Sequence, residues 1–201
     1  MDKFRMKISL IIFFLFFSFS LVAEDISDYE IEGMSIGDSL LDFMTIEEIN
    51  NEIEFVYEKY NNSESKNIAV VNYYKDLQIY DLLTIDIKAN DPKFEITGIS
   101  GLIIYDNNFD NCLKKQISIF EDLKLSLTDV YFEEFEPYSH EGYPDGDIVL
   151  HTKSFFLDIN KRSNLEIICW DISEKMNIPN RLDLSLKSHE LNDFLEEMYL
   201  N

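Results

Sequence analysis

The sequence predicts an α+β fold in the order αα-βββ-α-βββ-α: a helix pair, then two antiparallel three-stranded meanders, each followed by a helix. Three observations carry this reading. Segments rich in β-branched and aromatic residues come in runs of three with short turns between them, the mark of antiparallel meanders, since a parallel sheet alternates its strands with helices. Apolar residues at helical spacing stand before the first run, between the two runs and after the second. A hydrophobic content of 46%, with 14% aromatics, supplies a core for one domain of this length even with 28% charged residues.

The elements follow in order. Lys3, Arg5 and Lys7 precede the apolar stretch Ile8 to Phe17, and Leu21-Val22-Ala23 leads into acidic Glu24-Asp25, the layout of a secretory signal peptide cleaved after Ala23. From Ile8 to Ala23 is 16 residues, short of the ~20 that span a bilayer as a helix, so an uncleaved anchor is the weaker alternative. Residues 24–201 then form a single α+β domain, readable as two α-βββ halves, 24–106 and 107–201. Ser35-x-x-Asp38 and Thr45-x-x-Glu48 are capping-box patterns, with Ile36, Leu40 and Phe43, then Ile46, Ile49 and Ile53, at helical spacing behind them. They predict two short helices packed as a hairpin.

Strands are predicted at 68–74, 80–88 and 94–105; Leu83, Ile85 and Ile87 alternate with Thr84, Asp86 and Lys88, giving one buried and one wet face. Asn108 or Asp110 caps a helix to about residue 127, whose inner stripe is Phe109, Cys112, Gln116, Ile119, Phe120, Leu123 and Leu127. The acidic, aromatic and turn-rich stretch 128–147 reads as a long loop. Strands at 148–158, 165–171 and 181–187 follow, and Ser188 caps a last helix with Leu191, Phe194, Leu195 and Met198 facing inward.

Charge narrows the partners. With 17 basic and 39 acidic residues the chain carries a formal −22, which repels nucleic acid and anionic lipid alike. Loss of residues 1–23 leaves 14 basic and 38 acidic residues, a net −24 over 178 residues. In an oxidising compartment the two cysteines, Cys112 and Cys169, are expected to pair as a disulfide that ties the middle helix to a strand of the second half, with two separate buried thiols as the alternative.

Several motifs carry the look of chemistry. Asp106-Asn107-Asn108-Phe109-Asp110 has the oxygen spacing of a calcium loop but Asn111 and Ile117 where that loop needs Gly and Glu, so it reads as a turn into a helix cap. Asp145-Gly146-Asp147 beside Glu141 offers a loose cation site or a hairpin turn. His140, His151 and His189 lack metal-ligand spacing, so no metal and no cofactor is indicated. Asn61-Asn62-Ser63 fits a glycosylation acceptor, and Trp170 beside Cys169 reads as core. Gly33-Met34-Ser35-Ile36-Gly37 matches a nucleophile elbow that needs parallel strands before it.

Gly37-Asp38-Ser39-Leu40 resembles the first block of the GDSL hydrolases. That resemblance implies Ser39 as nucleophile of a serine esterase, Lys88-Ala89-Asn90-Asp91 as a degraded oxyanion block and a doubly wound parallel sheet. The family's Asp-x-x-His block is absent, so a glycine turn with Ser35 as a cap is preferred and the esterase is kept as the alternative. The string from Ile31 to Leu41 (IEGMSIGDSLL), with a Cys-bearing helix and the segment from Ile167 to Met176, resembles an uncharacterised family of small exported proteins from bacteria with AT-rich genomes. A fainter similarity joins the I-x-G-M-S-x-G-D-S segment to BamE/SmpA-type and β-lactamase-inhibitor-like modules, which implies a domain that binds other proteins through a sheet face and loops. The expected function is therefore an exported, periplasmic or extracellular, acidic and non-catalytic interaction domain. Its expected partner is another envelope or secreted protein, or divalent cations held weakly, with no membrane span after signal removal. Tyr131, Phe132, Phe135, Tyr138 and Tyr143, interleaved with glutamates, form the candidate partner surface, because aromatics in a polar setting are the composition of binding hot spots; the alternative is that they fold inward and tether a long loop.

Overall fold

The computed structural model describes residues 25–55, 67–106, 108–127, 130–140, 142–158 and 162–200. The signal-peptide segment 1–23, the Asn61-Asn62-Ser63 acceptor, Asn107 and Glu141 lie outside the described residues. The strands are β1 (Glu30–Ile31), β2 (Met34–Ser35), β3 (Ile53–Glu54), β4 (Ile68–Tyr73), β5 (Leu82–Lys88), β6 (Ile96–Asp106), β7 (Tyr131–Glu134), β8 (Tyr138–Ser139), β9 (Ile148–Asp158), β10 (Ser163–Ile172) and β11 (Asn180–Lys187). The helices are α1 (Ile46–Glu52), α2 (Phe109–Ser126) and α3 (His189–Leu200).

The predicted order αα-βββ-α-βββ-α does not hold. In place of two separate three-stranded meanders there is one nine-stranded antiparallel sheet in the order β3-β4-β5-β6-β11-β10-β9-β7, with β8 also on β9. The two runs join because β11 returns to lie antiparallel beside β6, Leu184 opposite Gly101 and Leu186 opposite Ile99. The edge of each run presents unpaired backbone N–H and C=O groups, and the β6–β11 ladder satisfies both.

The predicted helix pair is also corrected. Ser35 sits in β2 and is no helix cap; the Asp38 carboxylate accepts its N–H at 2.9 Å, and Gly37 has φ +91°, which a helix does not allow. Glu32 (φ +53°) and Gly33 (φ +81°) turn β1 into β2. The chain then runs beside β6, with Gly37 N–H on the Ile96 carbonyl and Ile96 N–H on the Asp38 carbonyl. A single 3-10 turn, Leu40–Asp42, stands where the first helix was expected. The second box is real: the Thr45 hydroxyl accepts the Glu48 N–H and the Glu48 carboxylate accepts the Thr45 N–H. That helix stops at Glu52, and Ile53 pairs with Val71 in the sheet.

One sheet face carries the main core. Leu83, Ile85, Ile87, Ile99, Phe155, Leu165, Ile167, Cys169, Leu182 and Leu186 meet α2 and the segment bearing Ile31, Met34, Leu40, Met44 and Ile49. The Cys112–Cys169 disulfide clamps α2 to β10 with Cα atoms 6.0 Å apart, a bond that persists in oxidising compartments. Beside it Gln116, 2% exposed, donates through Nε2 to the carbonyls of His151 (2.6 Å) and Ile167 (2.8 Å).

The opposite face is covered by α3 only at one corner, where Leu191, Phe194 and Met198 pack on Ile68. Gly98 permits that approach, since a Cβ there would lie 2.4 Å from Leu191 Cδ2. Lys88 pairs with Glu95 (2.6 Å) and Glu190 (2.7 Å), tying β5 and the α3 first turn together. Away from the corner, the register puts Ser100, Thr152, Ser154, Glu166, Asp183, Ser185 and Lys187 on this second face, where Thr152, Ser154, Asp183 and Ser185 are buried.

Candidate functional site

The expected loop 128–147 supplies two edge strands. Thr152 and Leu150 of β9 lie opposite Phe135 and Tyr138, three steps of one strand against two of the other, so a bulge falls at Glu136-Pro137. Proline lacks the N–H that a continuous ladder would use, which separates β7 from β8.

This geometry sorts the five predicted surface aromatics. Tyr131 lies opposite Phe156 and stacks on it at 5.5 Å. Strand alternation places Glu133 and Phe135 on the same side as Tyr131. Across the bulge Tyr138 returns to that side, with its hydroxyl 3.2 Å from Thr152 Oγ1. Tyr143 stacks on His140 at 5.7 Å, and His140 on Trp170 at 5.4 Å. Tyr131, Phe135, Tyr138 and Tyr143 thus gather at the edge of the face opposite α2. Phe132 does not: it packs edge-on to Phe120 (5.5 Å) on the helix-covered side, under Lys124. Tyr131 remains 55% and Tyr138 44% exposed.

Trp170 extends the strip inward and packs against a second, smaller hydrophobic cluster on this face, apart from the main core. The Arg181 guanidinium stacks on its ring at 4.1 Å, and its apolar neighbours are Ile148, Leu150, Ile168, Ile172 and Met176. Beneath them Arg181 Nε lies 3.2 Å from Asp183 Oδ1, at ion-pair distance but without hydrogen-bond alignment. Burial pushes the Asp183 carboxyl up to about 6, and the cations Arg181 and Lys187 and the Trp170 indole only partly offset it. Lys187 pairs with Glu166; burial alone would lower its pKa, but the carboxylate outweighs that and the value is raised. Ser100 and Ser185 share a hydrogen bond of 2.8 Å across the β6–β11 pair.

Other predicted site residues go elsewhere. Ser39 donates its hydroxyl to the Lys93 carbonyl at 2.7 Å, and every strand pair among the described residues is antiparallel, so the parallel sheet implied by the hydrolase resemblance is not this fold. His151 lies against Phe109 on the helix side at 5.0 Å, and His189 opens α3. Asn108 caps α2, accepting the Asn111 N–H. Asp147 pairs with Lys175, and Gly146 takes φ +80° in a turn. A groove of about 310 Å³ between α3 and Asn67-Ile68 is lined by His189, Glu190, Asp193 and Glu197, of which Glu190 and Asp193 pair with Lys88 and Arg162. Among the described residues no group of three or more His, Cys, Asp and Glu is arranged to hold a metal ion, and no helix is long and apolar enough to cross a membrane.

These features define an antiparallel, disulfide-clamped α+β domain with an exposed aromatic edge. Comparison with family models, curated proteins and solved structures gives no match.

Proposed function

We propose that this chain is an exported, acidic binding domain that engages another protein through the aromatic strip at the edge of its sheet, on the face opposite α2. The observation that carries the reading is the gathering of the exposed Tyr131, Phe135, Tyr138 and Tyr143 at the edge of the sheet face opposite α2, with Trp170 and His140 stacked behind them. Rigid aromatics with polar tips supply contact area at small entropic cost, and glutamates around them supply orientation. Export is supported by the basic, apolar and small-residue layout of residues 1–23 and by the Cys112–Cys169 bond. The net charge directs the choice of partner toward basic surfaces.

The test is affinity capture from envelope and secreted fractions. Phe135→Ala and Tyr138→Ala remove the partner, whereas Leu125→Ala, on the far exposed surface of α2, retains it. Capture unchanged by both aromatic substitutions contradicts the reading.

A further inference from the structure

The strand β7 ends the sheet, and among the described residues no strand lies beyond it. The Phe135 N–H donates inward to the Thr152 carbonyl at 3.0 Å. Alternation then turns the backbone of Glu133 and Tyr131 inward as well, and leaves the N–H and C=O of Phe132 and Glu134 facing out. All four residues of β7 are exposed. An edge of this kind is a template for a further strand.

The side chains say which strand fits. Glu133 stands between Tyr131 and Phe135 on the face opposite α2, and among the described residues it forms no ion pair; Glu136 at the bulge forms none either. On the helix side Glu134 is already held by Lys153, and Phe132 by Phe120 and Lys124. A second copy of this −22 chain would bring its own glutamates against these, an arrangement that like charges oppose. A lysine or arginine on an added strand would instead meet Glu133 with an aromatic ring on each side, combining an ion pair with cation–π contact.

We propose that β7 accepts an extended, basic segment of a partner polypeptide as an additional strand, paired to the outward backbone groups of Phe132 and Glu134, with Lys or Arg side chains seated over Glu133 between Tyr131 and Phe135. This deepens the binding-domain reading above and rests on it. Strand addition draws affinity from main-chain bonds and specificity from alternate side chains.

The probe is a synthetic peptide of alternating Lys and Val, with an alternating Glu and Val peptide as control, titrated into the full exported chain by calorimetry. The basic peptide binds and the acidic one does not, and binding weakens with added salt. On binding, the Phe132 and Glu134 amides become protected from hydrogen exchange. Glu134→Pro removes an outward N–H without touching the bonds to β9, and weakens binding by roughly tenfold or more relative to Glu134→Gln. Glu133→Lys abolishes it and leaves the backbone intact, which keeps the test open if the proline variant fails to fold. Equal binding of both peptides, binding indifferent to Glu134→Pro and Glu133→Lys, or a concentration-dependent dimer lost in Glu134→Pro overturns the proposal. A natural partner whose capture needs Tyr138 but ignores Glu134→Pro overturns strand addition alone; no Tyr138- or Phe135-dependent capture overturns the underlying reading.

Discussion

The Phe135 N–H reaches the Thr152 carbonyl at 3.0 Å, and this bond sets the phase of the whole edge. It places the Phe135 side chain on the face opposite α2 and turns the Phe132 and Glu134 amides to solvent. In the free protein those two amides exchange with solvent far faster than those of Glu133 and Phe135, as residue-resolved NMR exchange measures. Uniform protection along 131–135 would contradict the phase.

The disulfide supports a second prediction. Cys112 and Cys169 enclose a separation of 57 residues, and a loop of that size is stabilised by roughly 4 kcal/mol through restriction of the unfolded chain. Both residues are fully buried in the main core. Thermal melts with and without reductant show a lower midpoint on reduction, and the Cys112→Ala/Cys169→Ala double variant is insensitive to reductant. A wild-type melt indifferent to reductant contradicts the clamp.

Asp183 makes stability depend on pH. Its folded pKa of about 6 lies above the ordinary 3.8 because burial disfavours the ion. Its contribution is therefore fully present below about pH 4 and is lost as pH rises through about 6. The groups facing it are Arg181, Trp170, Lys187 and, through Lys187, Glu166. Urea midpoints of wild type against Asp183→Asn diverge between about pH 4.5 and 7.5 by on the order of 2 kcal/mol, with wild type relatively better at the acid end. A difference that does not change with pH sinks this account.

Gln116 ties α2 to the carbonyls of two adjacent strands from inside the core. Gln116→Leu keeps the volume and removes both donors, at a cost of about 1–3 kcal/mol in unfolding free energy. Chemical denaturation measures it, and an unchanged or raised stability contradicts the bond's role.

The sequence was legible where residues obey one period. Leu83, Ile85 and Ile87 alternate along β5 and lie fully buried, and the β-branched and aromatic run of β9 spans Ile148–Asp158 as one strand. It misled where a coincidence of spacing met a local turn. Ile36, Leu40 and Phe43 mimic a helix, but Gly37 at φ +91° and the Asp38 carboxylate on Ser35 N–H fold the chain back. The pairing of β6 with β11 joins residues some 85 apart, such as Ser100 and Ser185, and nothing local encodes it. The strand β7 was hidden because Tyr131 and Phe132 are adjacent aromatics that face opposite sides of an exposed edge, so burial imposes no period. The five aromatics were found by composition, while their division between faces needed the bulge at Glu136-Pro137.

The most direct measurement replaces Phe135 with a photo-cross-linking amino acid in cells that export the protein, with the same replacement at Leu125 as control. The account predicts a cross-linked adduct at 135, mapped by mass spectrometry to a Lys- or Arg-rich segment of another polypeptide, and none at 125. Absence of an adduct at 135, or an adduct equally formed at 125, contradicts it.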